Sequence, residues 1–390
     1  MRNVDDDALE AWLILLRAPA LGPAALRRLI ERHGGAAGAL AAARRGEQSG
    51  VADRSCRAWL DAPDATLLET DRAWLAADSH HLLTFEDADF PPLLREIPGA
   101  PVALFVNGDV SRLWLPQVAI VGSRSASQAG LSNARIFARA LALAGFAITS
   151  GLADGIDGSA HAAALDAGGT TIAVLGTGPD QVYPGKHKAL AERIAVQGAQ
   201  ISEFAPGTPG RARNFPRRNR IIAGLALGTL VVEASQRSGS LITARQASEQ
   251  GREVFAIPGS IHNPLARGCH ELIRNGAKLV ETAEEIIEEL RPLAETLGSH
   301  LRERLALPEA AQGTAPSMPF ATRPLLRDGD YAVLLAALGH DPLAIDELAE
   351  RTGLSVAALS SMLLVLELDG EVIATHGGIY ARAVREPLRG

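Results

Sequence analysis

From Leu82 onward, short apolar runs rich in β-branched residues alternate with Ala-rich stretches of helical character. The runs Leu82–Phe85, Val102–Val106, Val118–Val121, Ala147–Thr149, Thr171–Leu175, Gln200–Ser202, Leu230–Glu233 and Val254–Ile257 predict strands, and Lys278–Val280 predicts an edge strand. Beyond Val118 the spacing is mostly about 25 to 30 residues, enough for a strand, a helix and two turns. That spacing predicts right-handed βαβ crossovers and a parallel sheet with helices on both faces, an α/β fold.

The flanks have other rhythms. Residues 1–80 are helical in pattern, with Ala11–Leu16 leading into Leu21-Gly22-Pro23 and then Ala25–Ile30. The Gly-Pro turn fits a plain helical hairpin packed on its neighbour. A helix-hairpin-helix, or a related SAM-like domain, offering backbone N–H groups to DNA phosphates is the other reading. After Val280 the Glu-rich helix ETAEEIIEELRPLAETL closes the central region of 81–297. Residues 298–327, with Pro308, Pro316, Pro319 and Pro324, then predict a mobile linker. Residues 328–385 give a helix, Ile345–Ala349 with a turn at Thr352-Gly353, a second helix Val356–Leu366 and a hairpin Val372–Tyr380, the order of a winged helix.

Composition narrows the class. A chain of 390 residues predicts two to four domains at roughly 100–200 residues each. Hydrophobic residues at 47% with aromatics at only 4% favour a soluble α/β or helical protein over a β-sandwich. Two cysteines, Cys56 and Cys269, make no disulfide framework or metal-ligand spacing, which fits a reducing compartment. No apolar run approaches a membrane span and the start is acidic, so the expectation is a cytoplasmic protein without membrane attachment.

Against a formal net charge of -7, the run Arg211–Arg220, RARNFPRRNR, holds five arginines and no acid. Guanidinium forks suit phosphate, and Phe215 among them offers a face on which a base can stack, a pairing that points to single-stranded nucleic acid. Nearly every other polar cluster follows a predicted strand: Gly122-Ser123-Arg124-Ser125, Ser150–Asp157, Gly176-Thr177-Gly178, and Glu233 with Ser238-Gly239-Ser240. In an open parallel sheet these ends converge on one crevice. Glycines there let backbone approach an anion, Ser123, Ser240 and Thr243 supply hydroxyls, and helix starts supply N–H groups.

Neither GxGxxG spacing nor a Walker motif is present, so dinucleotide binding and NTP hydrolysis lack their fingerprints; no cofactor and no metal is expected. Asp154 and Asp157 read as caps of the helix after the glycine turn, with His161 in local hydrogen bonding to Asp157 rather than in catalysis. Cys269 and His270, adjacent on a helix, diverge too far to form a nucleophile–base pair.

The segments AIVGSRSAS at Ala119–Ser127, SGLADGIDGSAH at Ser150–His161, AVLGTGPDQVYP at Ala173–Pro184, SEFAPGTP and NFPRRNRIIAGL between Ser202 and Leu225, and VVEASQRSGSLITA with GREVFAIPG up to Gly259 together resemble the DprA/Smf family, the DNA-processing proteins of natural transformation. The resemblance implies an extended Rossmann-like domain that binds single-stranded DNA, forms a homodimer and helps load the recombinase RecA, with no catalytic residues. It assigns Gly122, Ser123 and Arg124 to a phosphate pocket and Phe215, Arg217, Arg218, Asn219 and Arg220 to a basic stretch with an aromatic. Lys186 falls at a basic DNA contact.

Together with Arg211, Arg213 and Ser240, these residues form the expected DNA track. Arg220 has an alternative partner in Glu233. Leu272 and Ile273, within Gly268–Ala277, match the family's dimer region or else form an ordinary amphipathic helix against the sheet. Pro179 departs from the apolar residue common there, so the backbone of the 176–179 loop is expected to differ.

The C-terminal module carries nine acids and two arginines from Asp328 to Arg382, and SVAALSSMLLVLEL lacks Lys and Arg. Such a surface repels a phosphate backbone and predicts a protein partner or a regulatory role. The competing reading of the crevice is a nucleotide-binding enzyme related to phosphoribohydrolases. Its PGGxGTxxE pattern is absent, since Ser238–Thr243 lacks the glutamate spacing.

Overall fold

A computed structural model describes residues 6–46, 53–304 and, near the C terminus, 329–338, 343–354, 356, 359, 362–363, 366, 372–375 and 379–382. The chain divides into two compact units, Met1–Pro308 and Glu309–Gly390.

The first unit opens with α1 (Asp6–Arg17), α2 (Pro23–His33), α3 (Ala36–Arg45), α4 (Arg54–Asp61) and α5 (Ala65–Leu75). Pro23 sits at the start of α2, where its missing N–H leaves nothing unpaired, and Gly34 ends that helix at φ 71°. Asp53 caps α4 by accepting from the Ser55 and Cys56 amides, and Asp64 caps α5 by accepting from Thr66. The run Ala11–Leu15 is buried throughout because α1 packs on α3 and α5. Arg17 clamps Asp71 with two 2.6 Å bonds and donates to the Pro206 carbonyl at 2.8 Å, joining the helical region to the sheet domain.

The sheet domain then runs β1 (His80–Thr84), α6 (Pro92–Arg95), β2 (Ala103–Gly108), β3 (Gln117–Val121), α7 (Gln128–Leu143), β4 (Ala147–Ser150), α8 (Ile156–Asp166), β5 (Thr171–Val174) and α9 (Lys188–Gln197). It continues with β6 (Ala199–Ser202), α10 (Asn214–Leu225), β7 (Gly228–Val231), α11 (Ser240–Glu249), β8 (Glu253–Ala256), α12 (Arg267–Arg274), β9 (Lys278–Leu279) and α13 (Ala283–Arg304). Nine strands lie in the order β1-β2-β6-β5-β4-β3-β7-β8-β9. Pairing is parallel from β6 through β9, whereas β1–β2 and β2–β6 are antiparallel.

The chain therefore steps outward from β3 to β6 and returns to β7 on the other side. The order reverses between β3 and β7, and a crevice opens there. Alternate residues serve the two faces: Ala119 and Val121 pack toward α10, while Val118 and Ile120 pack toward α7 and α8. Helix α13 reaches Arg304, so the linker expected from Gly298 starts as helix. Leu297 is buried, and no proline stands between Gly298 and Pro308 to stop the helix there. The remainder of that linker lies outside the described residues.

His161, on α8, is fully buried. Its Nδ1 meets the Thr171 hydroxyl at 2.6 Å, and its Nε2 has no hydrogen-bond partner. The expected local bond to Asp157 is thus replaced by a bond across to β5. Burial pushes His161 down to about 3, with the nearby His187 and Arg218 adding to the shift. Because the folded value lies below the usual 6.5, the neutral ring's stabilising contribution is complete above pH 6.5 and is lost as pH falls toward 3. Between pH 7 and pH 5 this amounts to about 2 kcal/mol. Urea midpoints should therefore drop more steeply over that range in the wild type than in His161→Gln; equal slopes would contradict the assignment. Asp157, whose carboxyl shifts upward, opposes the trend equally in both proteins.

In the second unit, α14 (Gly329–Leu338), β10 (Leu343–Ala344), α15 (Ile345–Thr352), β11 (Val372–Thr375) and β12 (Ile379–Arg382) surround a core of Leu334, Leu338, Leu348, Leu359, Leu363 and Val372. Its strands order β10-β12-β11. Val356, Leu359, Met362, Leu363 and Leu366 are helical, as the predicted second helix requires, and the hairpin tip at Gly377-Gly378 lies outside the described residues.

Candidate nucleic-acid interface

The crevice at the β3/β7 reversal is a cleft of about 760 Å³ lined by the 121–125 loop, the start of α10 and the 238–243 segment. Its first wall is set by Glu233, buried at the end of β7. The Glu233 carboxylate accepts from the Ser127 amide at 2.9 Å and from the Ser127 hydroxyl at 2.6 Å, while its carbonyl accepts from the Ser123 amide at 2.7 Å. Ser127 in turn caps α7 by accepting from Gly130. The loop Gly122–Ser125 is thereby held in place without using the Arg124 side chain, which is exposed. On the opposite wall, Ser240 is buried and its hydroxyl lies 2.7 Å from that of Ser238. Asn219 Nδ2 reaches the Gly239 carbonyl at 3.4 Å.

Two glycines expected to admit an anion are instead filled by the protein itself. A side chain at Gly151 would overlap the Arg218 guanidinium, and one at Gly176 would meet the Phe215 ring at 2.7 Å. Arg218 is 3% exposed and donates from Nη1 to the carbonyls of Gly151 and, more closely, Val174. Burial lowers it to about 10, against the opposing charge of Asp157, so it remains protonated at neutral pH. Arg218 is thus a clamp under the cleft, joining the ends of β4 and β5 to α10, rather than an exposed member of a phosphate track.

Asp157 does not cap α8 as expected. Gly155 holds the cap position without a side-chain bond, and Asp157 accepts from Gly151 at 3.1 Å and Ala153 at 3.4 Å in the preceding turn. Asp154 also leaves the helix start, pairing with Lys186 at 2.9 Å and His187 at 3.0 Å. The hydrogen bond from Lys186, with help from His187, holds its carboxyl below the usual range. Lys186 therefore stands exposed on the rim already paired to an acid.

The arginine run divides. Arg220 bonds Glu203 and the Gly99 carbonyl at 3.0 Å, not Glu233, because Glu233 is engaged by the Ser127 loop. Arg217 lies over the Phe204 ring at 5.6 Å, 3.7 Å from Glu203, and lines a separate groove of about 430 Å³. Arg211 and Arg213 are exposed and carry no ion pair among the described residues. At the cleft, Arg124 lies over the Phe215 ring at 5.6 Å, and Phe215 meets Tyr183 at 5.5 Å.

Sequence reasoning missed Glu233 as the loop's anchor, Glu203 as the counter-charge for two arginines, and Tyr183 as part of the rim. An acid directly after a fully buried strand was the available signal for Glu233. Cys56 and Cys269 are both free and buried, and burial pushes the Cys269 thiol up to about 11, in keeping with an inert cysteine. Among the described residues no helix is long and apolar enough to cross a membrane.

The family model described as DNA recombination-mediator protein A matches residues 81–291. Models described as DprA-like N-terminal HHH domain and DprA winged helix domain match 5–55 and 314–378. Protein Smf of Escherichia coli is 44% identical over 342 residues, 87% of each chain, and DNA processing protein DprA of Streptococcus pneumoniae is 46% identical over 57% of this chain and 79% of that one. The X-ray structure of DprA from Streptococcus pneumoniae superposes with a TM-score of 0.65 at 37% identity, covering 72% of this chain and 97% of that one. A Helicobacter pylori DNA processing protein A, in a structure described by its single-stranded DNA binding mode, superposes with a TM-score of 0.50 at 28% identity, over 54% of this chain and 96% of that one. With its central domain matched over more than half of the sequence and both flanking domains matched in order, this chain belongs to the DNA recombination-mediator protein A family, that of DprA and Smf.

Proposed function

We propose that the chain binds single-stranded DNA in the β3/β7 cleft, acts there as a homodimer, and helps load RecA onto the strand during DNA uptake and transformation in the cytoplasm. The observation that carries the DNA reading is the mouth of the cleft: exposed Arg124 lies over Phe215, which meets Tyr183, and the segment leading into Phe215 carries Arg211 and Arg213, all three arginines exposed with no acidic partner among the described residues. Unpaired arginines beside aromatic faces suit a phosphate backbone with unstacked bases. The Helicobacter pylori relative's single-stranded DNA binding supports it. RecA and the dimer rest on the family resemblance.

A titration of oligo-dT, duplex DNA and AMP against the same preparation tests the reading. Tight oligo-dT binding that weakens steeply with salt is expected. AMP binding without oligo-dT binding would favour the nucleotide-binding enzyme instead.

For the dimer, Leu272 and Ile273 on α12 are half-buried, and the neighbouring stretch exposes Ile261 (75%) and Leu279 (44%). A two-fold apolar contact there predicts that Leu272→Arg sediments as a monomer where the wild type is a dimer. A wild-type monomer at micromolar concentration, or a dimeric Leu272→Arg, would reject this interface. The acidic winged helix is assigned a protein partner.

A further inference from the structure

We infer that Tyr183 is a base-stacking subsite at the mouth of the cleft, providing the open aromatic face that Phe215 lacks. The inference rests on the proposal that a single strand occupies this cleft. In the protein without DNA, Phe215 is hemmed in: the Arg124 guanidinium covers its ring at 5.6 Å, Gly176 lies against its edge, and Gly210 stands beside it. A base stacks on Phe215 only after Arg124 moves. Tyr183 is different, being 55% exposed although it touches Phe215 at a centroid distance of 5.5 Å.

The 40° tilt and short separation leave no room for a base between the two rings, so the stacking surface is the outward side of Tyr183. The turn leading into it is firmly placed. The Thr177 hydroxyl donates to the Gln181 carbonyl at 2.5 Å, the Gln181 amide donates to Gly178 at 3.0 Å, and Asp180 accepts from the Gly207 amide at 2.8 Å. The ring itself rests on Phe215 and beside Gly210, so it loses little freedom when a base lands on it.

The charges around Tyr183 favour a strand over a free nucleotide. Arg124 lies over Phe215, the ring that Tyr183 touches, and Gly210, which stands beside both rings, leads directly into exposed Arg211 and Arg213, so phosphates next to a base stacked on Tyr183 have cations nearby. Arg124 then has two positions, over Phe215 in the free protein and on a phosphate in the complex. Stacking of this kind tolerates any base, because each has a π-face.

The test separates stacking from scaffolding with a cycle on two oligomers. Tyr183→Ala should weaken oligo-dT binding roughly tenfold with its salt dependence unchanged, and Tyr183→Phe should bind like the wild type. On an oligomer of the same length with an abasic backbone, the Tyr183→Ala loss should disappear, since no base is present to stack. An equal loss on oligo-dT and the abasic oligomer would assign Tyr183 to propping Phe215 and overturn the subsite; so would an unchanged oligo-dT affinity in Tyr183→Ala. If the wild type fails to bind oligo-dT at all, the proposed function itself falls, a result distinct from either of these.

Discussion

Arg218→Ala is expected to destabilise the first unit by about 3–5 kcal/mol, the range for removing one partner from a buried charged arrangement. The side chain is 3% exposed, and its Nη1 satisfies the carbonyls of Gly151 and Val174 at the ends of two neighbouring strands. Alanine would leave both carbonyls without that donor, leave buried Asp157 without the facing positive charge, and open a void against Gly151. Arg218→Lys should recover only part of this, because its ammonium can replace the single Nη1 donor but not fill the space the guanidinium occupies against Gly151. Urea unfolding reads this directly. A shift below about 0.5 kcal/mol would return Arg218 to the role of a surface phosphate contact.

The second large effect belongs to the arginines that do face solvent. Arg124→Ala, Arg211→Ala and Arg213→Ala combined should weaken oligo-dT binding roughly a hundredfold at low salt, taking about 1 kcal/mol for each exposed charged contact and 1.4 kcal/mol per factor of ten. Each lost phosphate contact on a single strand also reduces the slope of log affinity against log salt by about 0.7, so the triple variant should flatten it by about 2. Folding should be little affected, since none of the three guanidiniums hydrogen-bonds or ion-pairs with protein among the described residues and Arg124 only lies over Phe215 at the surface. Arg220→Ala should do the reverse, costing stability through Glu203 with little change in slope. A triple variant with the wild-type slope would place the phosphates elsewhere.

These two predictions mark where the sequence was legible and where it was not. All nine strands overlap their expected runs, though β7 lies two residues earlier than Leu230–Glu233; the parallel strands β3 to β8 are legible because most of them are buried on both faces and read as short hydrophobic segments between turn residues. The convergence of Gly122–Arg124 and Ser240 on the cleft followed from their positions after strand ends together with the reversal of strand order. What one dimension could not separate was the fate of adjacent arginines. On α10, Arg217 and Arg218 are neighbours, yet about 100° of helical rotation sends one over Phe204 in a second groove and the other beneath the cleft.

Counter-charges were equally hidden: Glu203 and Glu233 look alike in the sequence, but the first holds Arg220 and the second holds the Ser127 loop. Glycines misled in the same way, since the need for close approach at Gly151 and Gly176 comes from the protein's own Arg218 and Phe215. Asp157 and His161, spaced for a bond along one helix, found partners in the turn before it and on β5.

Amide hydrogen exchange with and without saturating oligo-dT tests most directly whether the strand lies in the β3/β7 cleft. Added protection is predicted in 122–127, 180–187, 210–219 and 238–243, the segments that meet around the cleft and its mouth. Protection confined to the 18–26 hairpin or to the winged helix, with none in those four segments, would contradict it.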